Sequence, residues 1–126
     1  MAVHFEYHVS DTKRARDFYS GLFGWTYQSM PQGDYHLVVG EGIGIGQPVS
    51  GALTSRNAPA PQPGSGPRGA VLTFTVADVD ATYKKALATG GAEAMPPTDF
   101  EGIGRLAYCE DGEGNIFGII QPPARV

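Results

Sequence analysis

Three polar residues at alternate positions near the start of the chain could do chemistry: His4, Glu6 and His8. Apolar residues separate them, as in a half-buried strand, so the three polar side chains share the face opposite the apolar ones. Histidine and carboxylate groups are common zinc and iron ligands and common general acids and bases. Alternate strand residues lie about 6.6–6.8 Å apart, so this strand supplies at most two ligands to one metal ion. The triplet therefore indicates a solvated strand face, a polar wall of a ligand site, or part of a metal site.

Further candidates lie on other predicted strands. Tyr35 and His36 are sequence neighbours, so they point to opposite faces and one of them should line a cleft. Aromatic rings can stack on a planar ligand, although rings in strands belong more often to the core. Cys109 has no marked cationic neighbour beyond Arg105, and we expect an inert buried thiol. The full set of candidate ligand-binding residues is His4, Glu6, His8, Trp25, Tyr35, Gln47, Thr73 and Tyr108.

The chain repeats one order of elements. A strand, a helix, a glycine turn and further strands fill the first third, and from residue 70 the same order returns with Val76 in the place of Val9. The predicted strands are 3–9, 25–30, 34–40, 42–48, 69–76, 92–96, 104–110 and 114–121. This duplication predicts an α+β fold of two βαβββ modules, whose curved mixed sheets form a cup with the helices outside. A ligand should then bind in the cleft between the modules.

Both helices carry start and stop signals. Ser10 or Asp11 can cap the first and Asp78 or Asp80 the second, and glycines end both. Apolar residues at helical spacing are Ala15, Phe18, Tyr19, Leu22 and Phe23 in the first helix, and Val79, Tyr83, Ala86 and Leu87 in the second. We expect these residues to pack against the sheets, together with Phe5, Tyr7, Phe74 and Val76.

A proline-rich connector, residues 49–68, separates the modules, which are predicted at about residues 1–48 and 69–123. Its proline density disfavours both strand ladders and helices. It can act as a stiff tether or as a flap over the cleft. With 126 residues, the chain is expected to form a single domain.

Composition argues against several classes of partner. The net charge is −4 and charged residues make up 17%, with no run of Lys or Arg, which disfavours nucleic acid and anionic membranes. No apolar run approaches the ~20 residues of a membrane span, and no secretory leader is recognisable. The single cysteine requires no oxidising compartment. The expected location is the cytoplasm.

Three segments carry a resemblance to a known family: DFYSGLFGW at 17–25, VADVD at 76–80, and MPPTDFEGIGRL at 95–106 running into DGEGNIFG at 111–118. With the module order, they make the chain resemble the vicinal oxygen chelate superfamily of glyoxalases, extradiol dioxygenases and bleomycin-resistance proteins. It looks most similar to the lactoylglutathione-lyase-related, glyoxalase-like group. The resemblance covers nearly the whole chain apart from the connector. It implies the cup-shaped fold and a homodimer, but no single reaction, because the superfamily spans lyases, isomerases, dioxygenases and drug-binding proteins.

The resemblance also implies where a family metal would bind, with one ligand from each of four strands. These positions fall on His4, on Gly44 or Gly46 with Gln47 as the only nearby donor, on Val71 and on Gly118. Glycine and valine side chains donate nothing to a metal, so only His4 is a competent ligand. We therefore expect no family metal and no other cofactor.

Two classes of function remain. The first is a metal-free, glyoxalase-like protein that binds a small organic molecule in the cup between the modules. The second is a metal-free lyase or isomerase in which His4 or His8 acts as the base and Glu6 orients it. A metal-dependent version of the second would hold its ion with His4 and Glu6, helped by Gln47 or His36.

Overall fold

A computed structural model describes residues 5–31, 33–39, 51–66 and 70–123. Its strands are β1 (Phe5–Val9), β2 (Thr26–Ser29), β3 (Tyr35–Val39), β4 (Gly51–Ser55), β5 (Leu72–Thr75), β6 (Ala92–Phe100), β7 (Gly104–Glu110) and β8 (Ile116–Gln121). Its helices are α1 (Thr12–Phe23) and α2 (Val79–Ala88). The order βαβββ thus occurs twice, and the predicted α+β fold of two such modules is confirmed.

Each module contributes one four-stranded mixed sheet. The strand order is β1-β4-β3-β2 in the first sheet and β5-β8-β7-β6 in the second. In both, the first strand of the module pairs in parallel with its last strand, and the remaining pairs are antiparallel. The two sheets therefore repeat one topology, as the duplicated sequence predicts.

Capping residues define the helix ends. The Asp11 side chain accepts a hydrogen bond from the backbone N–H of Arg14, and Asp78 does the same for Ala81. These are N-cap contacts, so of the alternatives at each helix start the structure selects Asp11 and Asp78. Gly24 ends α1 at φ 71°, where a side chain would be strained, and its N–H bonds the carbonyl of Ser20.

A single aromatic core joins the helices to one side of each sheet. Tyr7 and Val9 are buried whereas Glu6 and His8 are exposed, so the predicted facing of β1 is confirmed. Rings from both modules meet there: Phe18 of α1 lies 6.0 Å from Phe117 of β8. The prediction that Leu87 packs inward is wrong, since it is 37% exposed. Helix α2 buries Val79 and Ala86 instead, and Leu87 lies about 100° further round the helix than Ala86.

The fourth strand of the first module lies inside the stretch that the sequence predicted to be a connector. Strand β4 is Gly51–Ser55, and the described part of the true connector is 56–66. The proline density was misleading because residues 49–58 contain no proline, and Ala52 and Leu53 are fully buried between β1 and β3. The strand predicted over 42–48 lies outside the described residues. Strand β6 also extends to Phe100, past Pro96 and Pro97, on the sheet edge where proline is tolerated.

The turn between β7 and β8 contacts the first module through hydrogen bonds and an ion pair. Glu113 is buried, and its carboxylate accepts hydrogen bonds from the backbone N–H groups of Ser10 and Asp11, at 2.6 and 3.3 Å. It also pairs with Arg14 of α1 at 3.1 Å. Because a carboxylate favours the positive end of a helix dipole, Glu113 stabilises the start of α1 from the other module. Among the described residues, neither helix is long and apolar enough to cross a membrane.

Candidate functional site

The sheet faces turned away from the helices carry a groove. Its larger part is a cavity of about 530 Å³ on the second sheet, lined by Gly64, Gly66, Val71, Glu93, Ala94, Tyr108, Glu110 and Ile116. Alternation along β7 puts Tyr108 and Glu110 on this side, because the residues before each of them, Ala107 and Cys109, are fully buried toward the helices. The volume lies within the range of small-molecule sites, about 300–1,000 Å³.

A smaller cavity of about 190 Å³ continues the groove toward the first module. The two cavities share Gly66, Val71 and Ile116 as walls. Glu6 and His8 of β1 line the smaller one, together with Asn115. The groove therefore has an apolar middle, with polar groups toward Glu110 at one end and Glu6 at the other.

Part of the connector forms one wall of this groove. We call residues 61–66 the cover segment, since its glycines Gly64 and Gly66 and its Pro61 line the cavities. The backbone N–H of Gly64 donates to both carboxylate oxygens of Glu110, at 3.1 and 3.0 Å. The connector thus forms a wall of the groove, in addition to linking the modules.

Two members of the predicted polar triplet, Glu6 and His8, form a hydrogen-bonded group with Tyr35 of β3. Nε2 of His8 lies 3.2 Å from Oε1 of Glu6, and the Tyr35 hydroxyl donates to Oε2 of Glu6 at 2.9 Å. Partial burial and the hydrogen bond to Glu6 raise the pKa of Tyr35. Tyr35 and Glu6 therefore share a sheet face. His4, the third member of the triplet, lies outside the described residues.

His36 lies on the opposite face, among the helix-facing residues. It is 8% exposed, its Nε2 lies 2.6 Å from Oδ1 of Asp34, and its Nδ1 lies 2.9 Å from the Ser29 hydroxyl. Thr12, at the start of α1, donates to the same carboxylate. Hydrogen bonds from His36 and Thr12 lower the pKa of Asp34. His36 cannot join Glu6 at a metal, so that part of the metal-dependent alternative is wrong.

The other predicted ligand-binding residues divide by position. Tyr108 lines the larger cavity. Thr73 on β5 is exposed, and its hydroxyl and the Tyr108 ring both lie beside Gly118. Trp25 is 1% exposed and packs against Phe5 and Tyr19 at ring distances of 5.9 and 5.2 Å, so its assignment to the ligand site is wrong. Trp25 lies between the C-cap of α1 at Gly24 and the start of β2 at Thr26, and its ring packs in the core. Gln47 lies outside the described residues.

Sequence reasoning did not single out Glu110 or Ile116 as groove residues. They are direct partners across β7 and β8, and both line the larger cavity. The available signal was strand alternation, which places Glu110 on the same face as Tyr108. For Cys109 the expectation is confirmed: the residue is fully buried, and burial raises the pKa of its thiol to about 12.

A buried carboxylate also escaped the sequence analysis. Asp111, in the turn after β7, is 1% exposed and accepts hydrogen bonds from the Tyr19 hydroxyl, two backbone N–H groups and the Asn115 amide. Burial raises its pKa, and these hydrogen bonds oppose the rise. In this part of the structure the Tyr7 hydroxyl is buried with no described hydrogen-bond partner. Asp111 itself lines neither cavity, and its hydrogen bonds order the turn from which Asn115 lines the smaller cavity.

Comparison with known families identifies the chain. A family model described as the glyoxalase/bleomycin resistance protein/dioxygenase superfamily matches residues 2–119. The chain belongs to this superfamily. Its curated relatives include "Putative glyoxylase CFP32" of Mycobacterium bovis, 32% identical over 117 residues, and the anthracycline biosynthesis protein DauV of Streptomyces sp. strain C5, 29% identical over 116 residues. The matches cover 90% and 86% of this chain but only 42% of each relative, so the chain spans less than half of their length.

Solved structures share the fold of this chain. The fosfomycin resistance protein FosX of Listeria monocytogenes superposes with a TM-score of 0.73 at 14% identity, covering 98% of this chain and 92% of that one. A glyoxalase-related enzyme of Fulvimarina pelagi gives a TM-score of 0.72 at 18% identity, covering 98% and 88%. At these identities the likeness concerns the fold alone.

The superfamily's metal positions do not fit a metal in the described part of this chain. Strand pairing sets Thr73 against Gly118 in the second module and Glu6 against Ala52 in the first, so Ala52 occupies the place of Gly118. The predicted second position, Gly44 or Gly46, followed from a fourth strand expected at 42–48, whereas β4 is Gly51–Ser55. A Cβ atom at 118 would overlap the Thr73 hydroxyl and lie 2.9 Å from Cε1 of Tyr108. Among the described residues, no three His, Cys, Asp or Glu side chains are grouped as metal ligands.

Proposed function

We propose that this glyoxalase-superfamily chain binds a small organic molecule in the groove beneath the cover segment, without the superfamily's metal. The observation that carries the proposal is the continuous groove, with its apolar middle and its polar ends. Ligand sites are typically mostly apolar cavities with a few placed polar groups. Apolar side chains at Val71 and Ile116 would bury the body of the ligand, and Tyr108 and Glu110 would orient it.

The names of the curated relatives support a small organic ligand. One is named as a glyoxylase and another as an anthracycline biosynthesis protein, so both names refer to small-molecule metabolism. The absence of a metal rests on the donor positions. Gly118 and Ala52 supply no ligand atom, and Tyr108 and Thr73 fill the space beside Gly118.

A pair of valine variants tests the site. Val71 is a wall shared by both cavities, so Val71→Phe should block the groove. Val39 is 44% exposed on β3, and Val39→Phe is the matched control. A metabolite and metal panel is screened by thermal shift, and hits are titrated by calorimetry. We expect hits that bind wild type and Val39→Phe but not Val71→Phe. Equal binding to all three proteins would place the ligand elsewhere.

A metal-free lyase or isomerase is the second candidate, favoured by the contact between Glu6 and His8 at the groove wall. In that arrangement His8 takes a proton from the substrate and Glu6 orients its ring. Turnover of a bound panel compound, lost in His8→Ala while its affinity is kept, would establish catalysis. Conversion that continues in His8→Ala would remove His8 from the reaction.

We also propose that the chain forms a homodimer. Strands β2 and β6 are the last strands at one side of each sheet, and open sheet edges require covering or protection. Sedimentation at micromolar concentration should give twice the chain mass of 13.3 kDa. A species of 13.3 kDa would show that the monomer is the stable form.

A further inference from the structure

We propose that the ligand of the groove carries a protonated amine on an aromatic or other apolar body. This inference rests on the proposed function, because it names the chemical class that the same groove would select. It follows from the charges on the walls of the larger cavity, from the hydrogen-bonding capacity of Glu110 and from the position of the Tyr108 ring.

Glu110 is the carboxylate directed to the groove side of the second sheet. The second acidic residue at the cavity wall, Glu93, pairs across the strands with Cys109, which is buried toward the helices. The Glu93 carboxylate accordingly accepts the hydroxyl of Tyr83 on α2, and this hydrogen bond raises the pKa of Tyr83 to about 12. Among the described residues, no Lys, Arg or His lines the larger cavity. The charged residues described on this wall, Glu93 and Glu110, are therefore both acidic.

Glu110 has hydrogen-bonding capacity left for a ligand. Among the described residues, its carboxylate accepts from the backbone N–H of Gly64, which both oxygens share. A carboxylate offers about four lone-pair positions, so one shared N–H leaves most of them available. An ammonium group carries three donors and forms charge-assisted hydrogen bonds with a carboxylate. Glu110 is suited to accept such a group from the cavity side.

The surroundings of Glu110 suit the body of an organic amine. Ile116 lies directly across from Glu110, and Tyr108 lies two residues before it on the same face. The Tyr108 ring lies over Gly118, where the missing side chain leaves room for it. An aromatic ring near a carboxylate attracts a cation through its face, and Val71 and Ile116 add apolar area.

An anionic ligand is disfavoured at the same place. It would meet the Glu110 carboxylate in a chain whose net charge is −4. The adjoining small cavity contains Arg56, but this guanidinium donates to the Ser10 hydroxyl and the Glu113 carbonyl, and Glu6 lines the same cavity. Of the two basic residues described at this cavity, Arg56 is engaged at the turn that joins the modules, and His8 lies 3.2 Å from Glu6.

Three indole compounds with one ring system and different tails test the proposal: tryptamine is cationic, tryptophol neutral and indole-3-propionate anionic at pH 7. Binding is measured by calorimetry at low and high salt with wild type, Glu110→Gln and Glu93→Gln. Tryptamine should bind wild type about tenfold or more tighter than tryptophol, with indole-3-propionate weakest, as expected for a charged hydrogen bond. Added salt should reduce the preference.

Glu110→Gln keeps an acceptor for Gly64 and should abolish the preference for tryptamine while leaving tryptophol binding nearly unchanged. Glu93→Gln should keep the preference for tryptamine, because the Glu93 carboxylate is directed to Tyr83 of α2. Equal affinities for the three compounds in wild type, or a preference that survives in Glu110→Gln, would overturn the amine proposal. Tryptophol binding that is lost in Val71→Phe would still support the groove in that case. Binding of none of the three would count against both proposals.

Discussion

Thr73 and Gly118 lie directly opposite each other on the parallel strands β5 and β8, and the Thr73 hydroxyl fills the space that a side chain at position 118 would need. The resemblance implies that metal-dependent members of the superfamily take a metal ligand from this position. Here the neighbouring Tyr108 ring also lies against position 118, so two side chains occupy the space beside the glycine. A side chain introduced at position 118 alone would therefore clash with Thr73 and Tyr108.

Gly118→Ala should lower the free energy of unfolding by about 1–3 kcal/mol, the usual cost of overpacking. Adding Thr73→Ala removes the overlapping hydroxyl and should recover part of that loss, which a double-mutant cycle in urea measures. Gly21→Ala is the control, because a Cβ there meets no atom within 4 Å and the residue is helical. It should raise stability by about 0.5–1 kcal/mol. Equal effects at 21 and 118 would contradict the packing argument.

The purified protein should carry no stoichiometric divalent ion, because the ligand positions on β4 and β8 are Ala52 and Gly118. Elemental analysis of protein prepared without chelators measures this directly. His4→Ala serves as the comparison, since His4 is the matched ligand position in the sequence. About one zinc, nickel or iron per chain in wild type, lost in His4→Ala, would overturn the prediction.

Glu6→Gln should weaken ligand binding by about 1–3 kcal/mol, as loss of a charged hydrogen bond usually does. Its effect on unfolding should stay below about 1 kcal/mol, because the side chain of Glu6 is 41% exposed and its pairing with His8 is solvent-screened. Calorimetry and thermal melts measure the two quantities, and Glu101→Gln in the exposed β6–β7 turn is the control. A lower melting temperature with unchanged binding would assign Glu6 a purely structural role.

The buried carboxyl of Asp111 should give stability an unusual pH dependence. Its pKa in the folded protein is raised above the ordinary 3.8, chiefly by burial. The folded state then holds the proton more tightly than the unfolded chain, so the stability contributed by Asp111 is fully present below about 3.8 and is lost as the pH rises through the raised pKa. Asp111→Asn keeps an acceptor for the two backbone N–H groups but does not ionise.

Urea unfolding of wild type and Asp111→Asn over a pH series checks the sign. The wild-type free energy of unfolding should fall relative to the variant as the pH rises from about 3.8, and the difference should then level off. A difference that grows with pH would mean that the hydrogen bonds from Tyr19, Glu113 and Asn115 outweigh burial. Asp111→Ala, which removes the acceptors, should cost at least about 3 kcal/mol at every pH.

Periodicity and capping signals predicted much of the fold. The repeat gave the two modules, and alternation gave the facing of β1, because a strand with one buried face specifies its register strongly. Strand β4 was missed because nearby prolines and glycines dominate local composition, whereas its burial between β1 and β3 is a tertiary property. The burial of Leu87 was mispredicted for a similar reason. Hydrophobicity alone does not distinguish an apolar residue on the buried face of a helix from one that follows it in sequence and is exposed.

The groove was only partly predictable. Glu6, His8 and Tyr108 were identified by residue type and alternation, and they do line it. The cover segment lines the groove because residues 61–66 pack against the second sheet. This tertiary contact is not encoded in any local sequence pattern. Trp25 was assigned to the ligand site because aromatic rings suit both ligands and cores, and only burial separates the two cases.

The turn that carries Asp111 and Glu113 has a consequence for synthesis of the chain on the ribosome. Strands β1 to β4 and α1 are complete once residue 55 has been made, but the partners of Tyr19, Ser10 and Arg14 are encoded more than fifty residues later. Until then the hydroxyl of Tyr19 and the backbone N–H groups of Ser10 and Asp11, just before α1, lack their native acceptors. We therefore expect a nascent chain that stalls before residue 111 to expose an unfinished first module, because these contacts form only once the turn between β7 and β8 has been made.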